Sequence, residues 1–320
     1  MMKNRYNILD SSKALIFSLF SFLAVGLTLT LIIFFASTIL NVPFSQVQNQ
    51  SWVLYLNIFL SEGVYFLVYI LVVKLKNNNK LSFFKENKIN LSLTILLLIS
   101  AVICFLGSVN ITNLVNFCFK NLTKLTVDSS IINFNNFYIF LLSVFLLGVM
   151  PAVCEELVFR EIIFNGLISR IKPIVSIIVS SLCFALFHFS IYKFFYQFVL
   201  GCLCATILYL LGNVAYCMIF HFVSNFCVLL FTYTNLTASI QFVSWGTKEV
   251  LISIVFFLIA ILIVAIISYV MSIKKDKVHG DISKVIIESK KENDKKGILF
   301  FVTIICLLML LWIFNVFVGV

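Results

Sequence analysis

Charge is what this sequence has least of. Only 11% of its 320 residues are Asp, Glu, Lys or Arg, where a soluble domain carries about a quarter. Proline occurs three times, histidine three times, and no two cysteines form a C-x-x-C pair. The scarcity of charge, set against so much apolar side chain, excludes both an ordinary soluble domain and a disordered chain. The missing cysteine pair excludes a zinc ribbon and a thioredoxin-type redox site. Neither H-E-x-x-H nor G-x-S-x-G occurs, so the zinc-protease helix and the serine nucleophile elbow are absent too.

Apolar residues fill the space, at 62% of the chain with 36 Phe. Runs longer than about 18 apolar residues recur, each long enough to cross a bilayer as a helix. The runs are continuous rather than alternating, which excludes a β-barrel. The fold class expected is all-α, a polytopic transmembrane helix bundle of about nine helices. The spans fall at 14–40, 52–73, 91–107, 137–168, 174–189, 194–211, 214–232, 250–271 and 298–317. The first is too long for the core of a cleavable signal and is read as retained. Eight of the nine cysteines lie inside apolar runs and Cys118 in a loop, all as small buried or inert side chains.

The net charge of +10 sits between the apolar runs. No soluble basic domain exists to hold nucleic acid, so the charge reports orientation in the bilayer. With the amino terminus cytoplasmic, nineteen Lys and Arg fall inside and four (Lys120, Lys124, Lys193 and Lys248) outside. That split puts the carboxyl terminus outside. The stretch 272–297 alone carries eight Lys among five acidic residues and reads as a solvated cytoplasmic loop holding His279. The abundance of Lys, Asn, Ile and Phe hints at an AT-rich bacterial genome.

A few ionisable residues lie where hydrocarbon should surround them, at a cost of roughly 2.5–3.5 kcal/mol each on insertion scales. They are Glu155, Glu156, Arg160 and Glu161 in the fourth span, His188 ending the fifth, His221 with Asn225 in the seventh, and Glu62 in the second. Glu156 and Arg160 are spaced i, i+4, so one helix face can pair carboxylate with guanidinium. Arg cannot shed its proton and needs that partner. Glu155 points about 100° away and is left free. His221 and Asn225 share a face, as do Phe184 and His188. In the hairpin of the fourth and fifth spans, Glu155 and His188 are equidistant from the turn and so level. His221 lies only nine residues past Gly212 and must be brought level by uneven helix ends. Pro151, one turn before Glu155, should kink or open its helix. Three roles are open for Glu62: part of the site, partner to a base such as Arg160, or lining of a wet gap. Phe194, Phe195 and Phe198 read as packing residues, Tyr196 and Gln197 as lining.

A carboxylate in a dry site is a stronger base than in water. Glu155 can take a proton from water, with His188 orienting that water and passing a proton to a leaving amine. His221 and Asn225 can donate to a developing oxyanion. This is a layout for amide hydrolysis without a covalent intermediate. Zinc is the competing reading, since two His and a Glu can hold it. A proton-relaying transporter, a non-catalytic immunity or scaffold protein, and a polar network that only locks helices are further alternatives. Cys154, beside Glu155, faces off that side of the helix.

In order, these residues spell E-E-x-x-x-R (Glu155, Glu156, Arg160), F-x-x-x-H (Phe184, His188) and H-x-x-x-N (His221, Asn225). Together they resemble the CPBP family of intramembrane peptidases, the CAAX-protease and bacteriocin-processing proteins also called Abi. The resemblance covers about residues 136–232. It divides the chain into amino-terminal transmembrane helices (1–135), a catalytic core (136–232), and carboxyl-terminal helices with the basic loop (233–320). It implies a glutamate-dependent endopeptidase of the cell membrane. Glu155 and His188 would activate water, His221 and Asn225 would stabilise the oxyanion, and Glu156 and Arg160 would hold the site. The implied partners are a peptide or protein substrate, lipidated in some members, and membrane lipid, with no nucleic acid. No cofactor is expected, zinc being the open exception.

Overall fold

The computed structural model describes residues 6–76, 89–123, 136–236, 246–276 and 292–318. Ten helices account for its regular structure: α1 (Ile8–Leu40), α2 (Phe44–Gln48), α3 (Ser51–Leu75), α4 (Leu91–Thr123), α5 (Phe137–Ile168), α6 (Pro173–Leu186), α7 (Ile191–Leu211), α8 (Val214–Tyr233), α9 (Thr247–Asp276) and α10 (Glu292–Val318). No strand occurs among the described residues. Six of the helices are long and apolar enough to cross a membrane. A helix stands at each of the nine expected positions, though only six reach spanning length and hydropathy, and α2 is an added short helix begun by Pro43.

Two boundaries are corrected. The third span does not end at Gly107, and α4 runs on to Thr123, which places the exposed Cys118 on a helix rather than in a loop. The residues beyond Gly107 include Asn and Thr, which weaken a helix by only tenths of a kcal/mol each, and no proline stops it. Gly107 is there for close approach instead, because a Cβ at that position would run into Ala260 of α9. The expected loop 272–297 is partly helical: α9 continues to Asp276 and α10 begins at Glu292. His279 lies outside the described residues, as do Lys80, Lys85, Lys88 and Lys124.

α5 is the axis of the bundle, with α1, α3, α6 and α8 packed around it. It is not a uniform helix. Wider, π-helical turns occupy Val144–Val149 and Leu157–Phe164, with ordinary α-helix at Met150–Glu156 between them. Pro151 accounts for the first. Its ring clashes with the carbonyl four residues back and it has no N–H to give, and a wider turn relieves both. Of the two outcomes expected at Pro151, a kink or an opened helix, the structure shows the opening, as a widened turn. The second wide turn is braced by α1. The Ser11 hydroxyl donates to the Ile163 carbonyl at 3.0 Å and lies 3.4 Å from that of Ile162. Gly166 admits α1 this close, since a Cβ there would collide with Ser11 and the Asn7 carbonyl. Asn7 and Asp10 close a capping box at the start of α1, and Lys76 pairs with Asp10 at 2.6 Å. The two glutamates of the first motif thus stand on the one regular turn between two widened ones.

Candidate active site

Glu156 and Arg160 form the expected pair, Oε1 to Nη1 at 3.2 Å, with both side chains essentially inaccessible. Arg160 also donates from Nη2 to the Gly201 carbonyl at 3.3 Å and lies over the Phe184 ring, 4.3 Å from its centroid. Gly201 is required here because a Cβ would press on Ser181 of α6. The Phe of the second motif is therefore a platform for the Arg of the first.

His188 does not end a helix as expected: it lies two residues past Leu186, in the α6–α7 turn. Its Nδ1 lies 2.9 Å from the Phe184 carbonyl, which can only accept, so Nδ1 carries the proton and a neutral ring leaves Nε2 as an acceptor. That Nε2 is 4.0 Å from Glu155 Oε1. His221 of α8 places Nδ1 2.8 Å from Glu156 Oε1 and Nε2 3.8 Å from Glu155 Oε2. The third motif is thereby drawn level with the first, as uneven helix ends require. Asn225 stands one turn beyond His221 on α8, half-buried. The Glu155 carboxylate is thus flanked by two imidazole Nε2 atoms.

These gaps suit water. Two acceptors about 4–4.5 Å apart can each receive one O–H of a single water at ordinary hydrogen-bond length. Tetrahedral zinc with bonds of 2.0–2.1 Å would bring its donor atoms to about 3.3 Å of one another, closer than either imidazole stands to Glu155. No group of three or more potential metal ligands is assembled among the described residues. As placed, these donors do not fit tetrahedral zinc.

Of the readings open for Glu62, the structure supports the site. Glu62 on α3 is 6% exposed, and its carboxyl neighbours that of Glu155. Two neighbouring buried carboxyls avoid like-charge repulsion when they hold one proton between them. Its Oε2 is buried with no protein partner. The sequence signal for it was a lone carboxylate in the middle of a span; nothing in the three motifs points there. Ser11, which braces the wide turn, had no sequence signal at all. Phe194 and Phe195 pack on Trp312 and Phe257, and Tyr196 and Gln197 have buried polar atoms on α7. Cys154 is buried, as is most of the cysteine set.

Residues 137–227 match the family model described as type II CAAX prenyl endopeptidase Rce1-like. The matched segment holds all three motifs and is the segment for which the resemblance was drawn. Over this segment, under a third of the chain, the protein is thus similar to the CAAX-protease family of intramembrane endopeptidases. Comparison with curated proteins and with solved structures gives no match.

Proposed function

We propose that the chain hydrolyses a peptide bond in a membrane-associated substrate by water held between Glu155 and His188. The observation that carries this reading is the Glu155 carboxylate set between the Nε2 atoms of His188 and His221 at 4.0 and 3.8 Å, inside a dry bundle. For Glu155 to act as the base, the proton shared with Glu62 has to rest on Glu62 when water is bound. Water attacks the substrate carbonyl carbon, a C–O bond forms, and Glu155 takes the released proton, with the water's second O–H directed at His188 Nε2. Negative charge gathers on the carbonyl oxygen, where the Asn225 amide donates. His221 can add a donor only as an imidazolium, because its Nδ1 proton is already committed to Glu156. When the C–N bond breaks, the proton on Glu155 passes to the leaving amine, directly or through His188, and Glu155 is ready again. Glu156 and Arg160 hold His221 and the α5–α7 spacing.

The lysine distribution supports a cytoplasmic amino terminus and an outer carboxyl terminus in a bacterial cell membrane. A lipidated or bacteriocin-type substrate fits the family resemblance, and no metal is required.

The test compares peptide termini in cells making wild type, Glu155→Gln or His188→Ala at equal levels. Termini present only with wild type, formed equally by membranes treated with EDTA, are expected. Identical termini in all three would sink the reading in favour of an immunity, scaffold or transport role. Loss with EDTA and recovery with zinc would return the metal.

A further inference from the structure

A cavity of about 660 Å³ opens between α1, α2 and α3. That is the size of a small-molecule or peptide-side-chain site. It is built by a part of the chain that the family match at 137–227 does not include. Two of its lining residues border the catalytic groups. Ser61 precedes Glu62 on α3. Phe22 stacks on Phe189, the residue after His188, with ring centroids 5.2 Å apart. Phe189 is held at φ 45°, in the left-handed region that a bulky side chain rarely adopts. Strain of this kind persists where the surroundings impose it and gathers at sites. Here it turns the Phe189 ring onto Phe22, so that an aromatic pair stands between the cavity and His188.

The cavity lies at the end of the bundle where α1 finishes and α3 starts, opposite the end that carries Lys74, Lys76 and the α1 cap. From Phe22, α1 runs eighteen residues further to Leu40, about 27 Å at 1.5 Å per residue, and so extends well past the α6–α7 turn. The lining carries no acidic or basic side chain. Gln48, Asn49, Gln50 and Asn57 offer amide donors and acceptors, and Leu29 and Ile33 offer apolar wall. Side-chain amides can match the N–H and C=O groups of an extended backbone. A charged side chain would lose its hydration there with no counterion.

Resting on the peptidase reading above, we infer that this cavity is the substrate-binding site for an uncharged, extended peptide segment, which reaches Glu155 past the Phe22–Phe189 pair. With the lysine-rich end in the cytoplasm, the segment is admitted from the outer side.

Gly26 allows a clean test, because it lines the cavity and a Cβ added there meets nothing within 4 Å. The full chain in lipid vesicles is offered short, end-capped, internally quenched peptide mixtures, one uncharged and one with regularly placed Lys and Asp. Hydrolysis is read directly. Binding is read separately, by crosslinking the same peptides to a photoreactive residue replacing Asn57 in a Glu155→Gln background. Gly26→Trp is expected to lower both readouts about tenfold or more for the uncharged mixture. Leu27→Trp, next door but 64% exposed and outside the cavity, is expected to leave both within about twofold. The uncharged mixture should be preferred over the charged one. Hydrolysis undiminished in Gly26→Trp, or preference for the charged peptides, would overturn the cavity assignment and leave the peptidase standing. Crosslinking that Gly26→Trp abolishes, with no hydrolysis by wild type, would keep the cavity and overturn the peptidase. No hydrolysis by wild type together with no crosslinking at position 57 would overturn the two together.

Discussion

The site has two walls of different character. The wall from α5, α6, α7 and α8 ties its polar groups to one another: Arg160 on Glu156, Glu156 on His221, with Phe184 beneath the guanidinium. The wall from α1 and α3 holds one carboxyl that neighbours Glu155, a serine hydroxyl bracing a helix, and a cavity lined by neutral amides. Paired charges in a dry interior fix positions, since neither member can leave without stranding the other. Open volume lined by neutral groups is what a reacting molecule can use. The difference separates holding the machinery from meeting the substrate, and each wall should fail in its own way.

The largest effect belongs to the paired wall. Arg160→Ala leaves the Glu156 carboxylate fully buried with no cation, a change of about 3–5 kcal/mol. Its melting point in detergent is expected to fall well below that of Glu155→Ala, which removes a carboxyl whose nearest neighbours include another carboxyl. Arg160→Lys should not restore it, because one ammonium cannot reach both Glu156 and the Gly201 carbonyl in the guanidinium's fixed geometry. Equal melting points for Arg160→Ala and Glu155→Ala would erase the distinction between the walls.

Glu62 tests the other wall. Glu62→Gln keeps shape and a hydrogen-bond donor but cannot trade a proton with Glu155. Turnover is expected to drop about 10²-fold, in kcat rather than KM, with the melting point unchanged or raised as a buried acid is removed. A shift in melting point as large as that of Arg160→Ala, with kcat intact, would make Glu62 a structural residue.

The paired wall is also the wall that was legible in the sequence. Glu156 with Arg160, and His221 with Asn225, are each local on one helix at i, i+4, so helical geometry alone puts them on shared faces. The depth match of Glu155 with His188 follows from one short turn. His221 meeting Glu156 was not readable, because it depends on how far α8 slides against α5, and no hairpin links those two directly. Glu62 declared itself as an acid in hydrocarbon, but its partner did not, since α3 precedes α5 by a long stretch of chain. The wide turns of α5 were hidden too. Pro151 signals a disturbed helix, while the choice of widening over kinking is made by the packing around it. The run to Thr123 in α4 was missed because polar residues lower hydropathy long before they stop a helix.

The smallest effect falls where the two walls join. Ser11 satisfies the Ile163 carbonyl on the wide turn that follows Glu156, so Ser11→Ala is expected to cost about 1 kcal/mol and to let that turn relax. Ser12, the next residue, makes a comparable pair of bonds to the Ile8 and Gly297 carbonyls, at 2.9 and 3.2 Å, on the side of α1 that faces α10. Ser12→Ala should therefore lower the melting point about as much as Ser11→Ala does. Only Ser11→Ala should also lower kcat, severalfold and with little change in KM, because only its partner lies on the helix that aims Glu155 and Glu156. Equal kcat in the two variants would mean that α1 merely packs against the bundle, and that the widened turn of α5 keeps its shape without it.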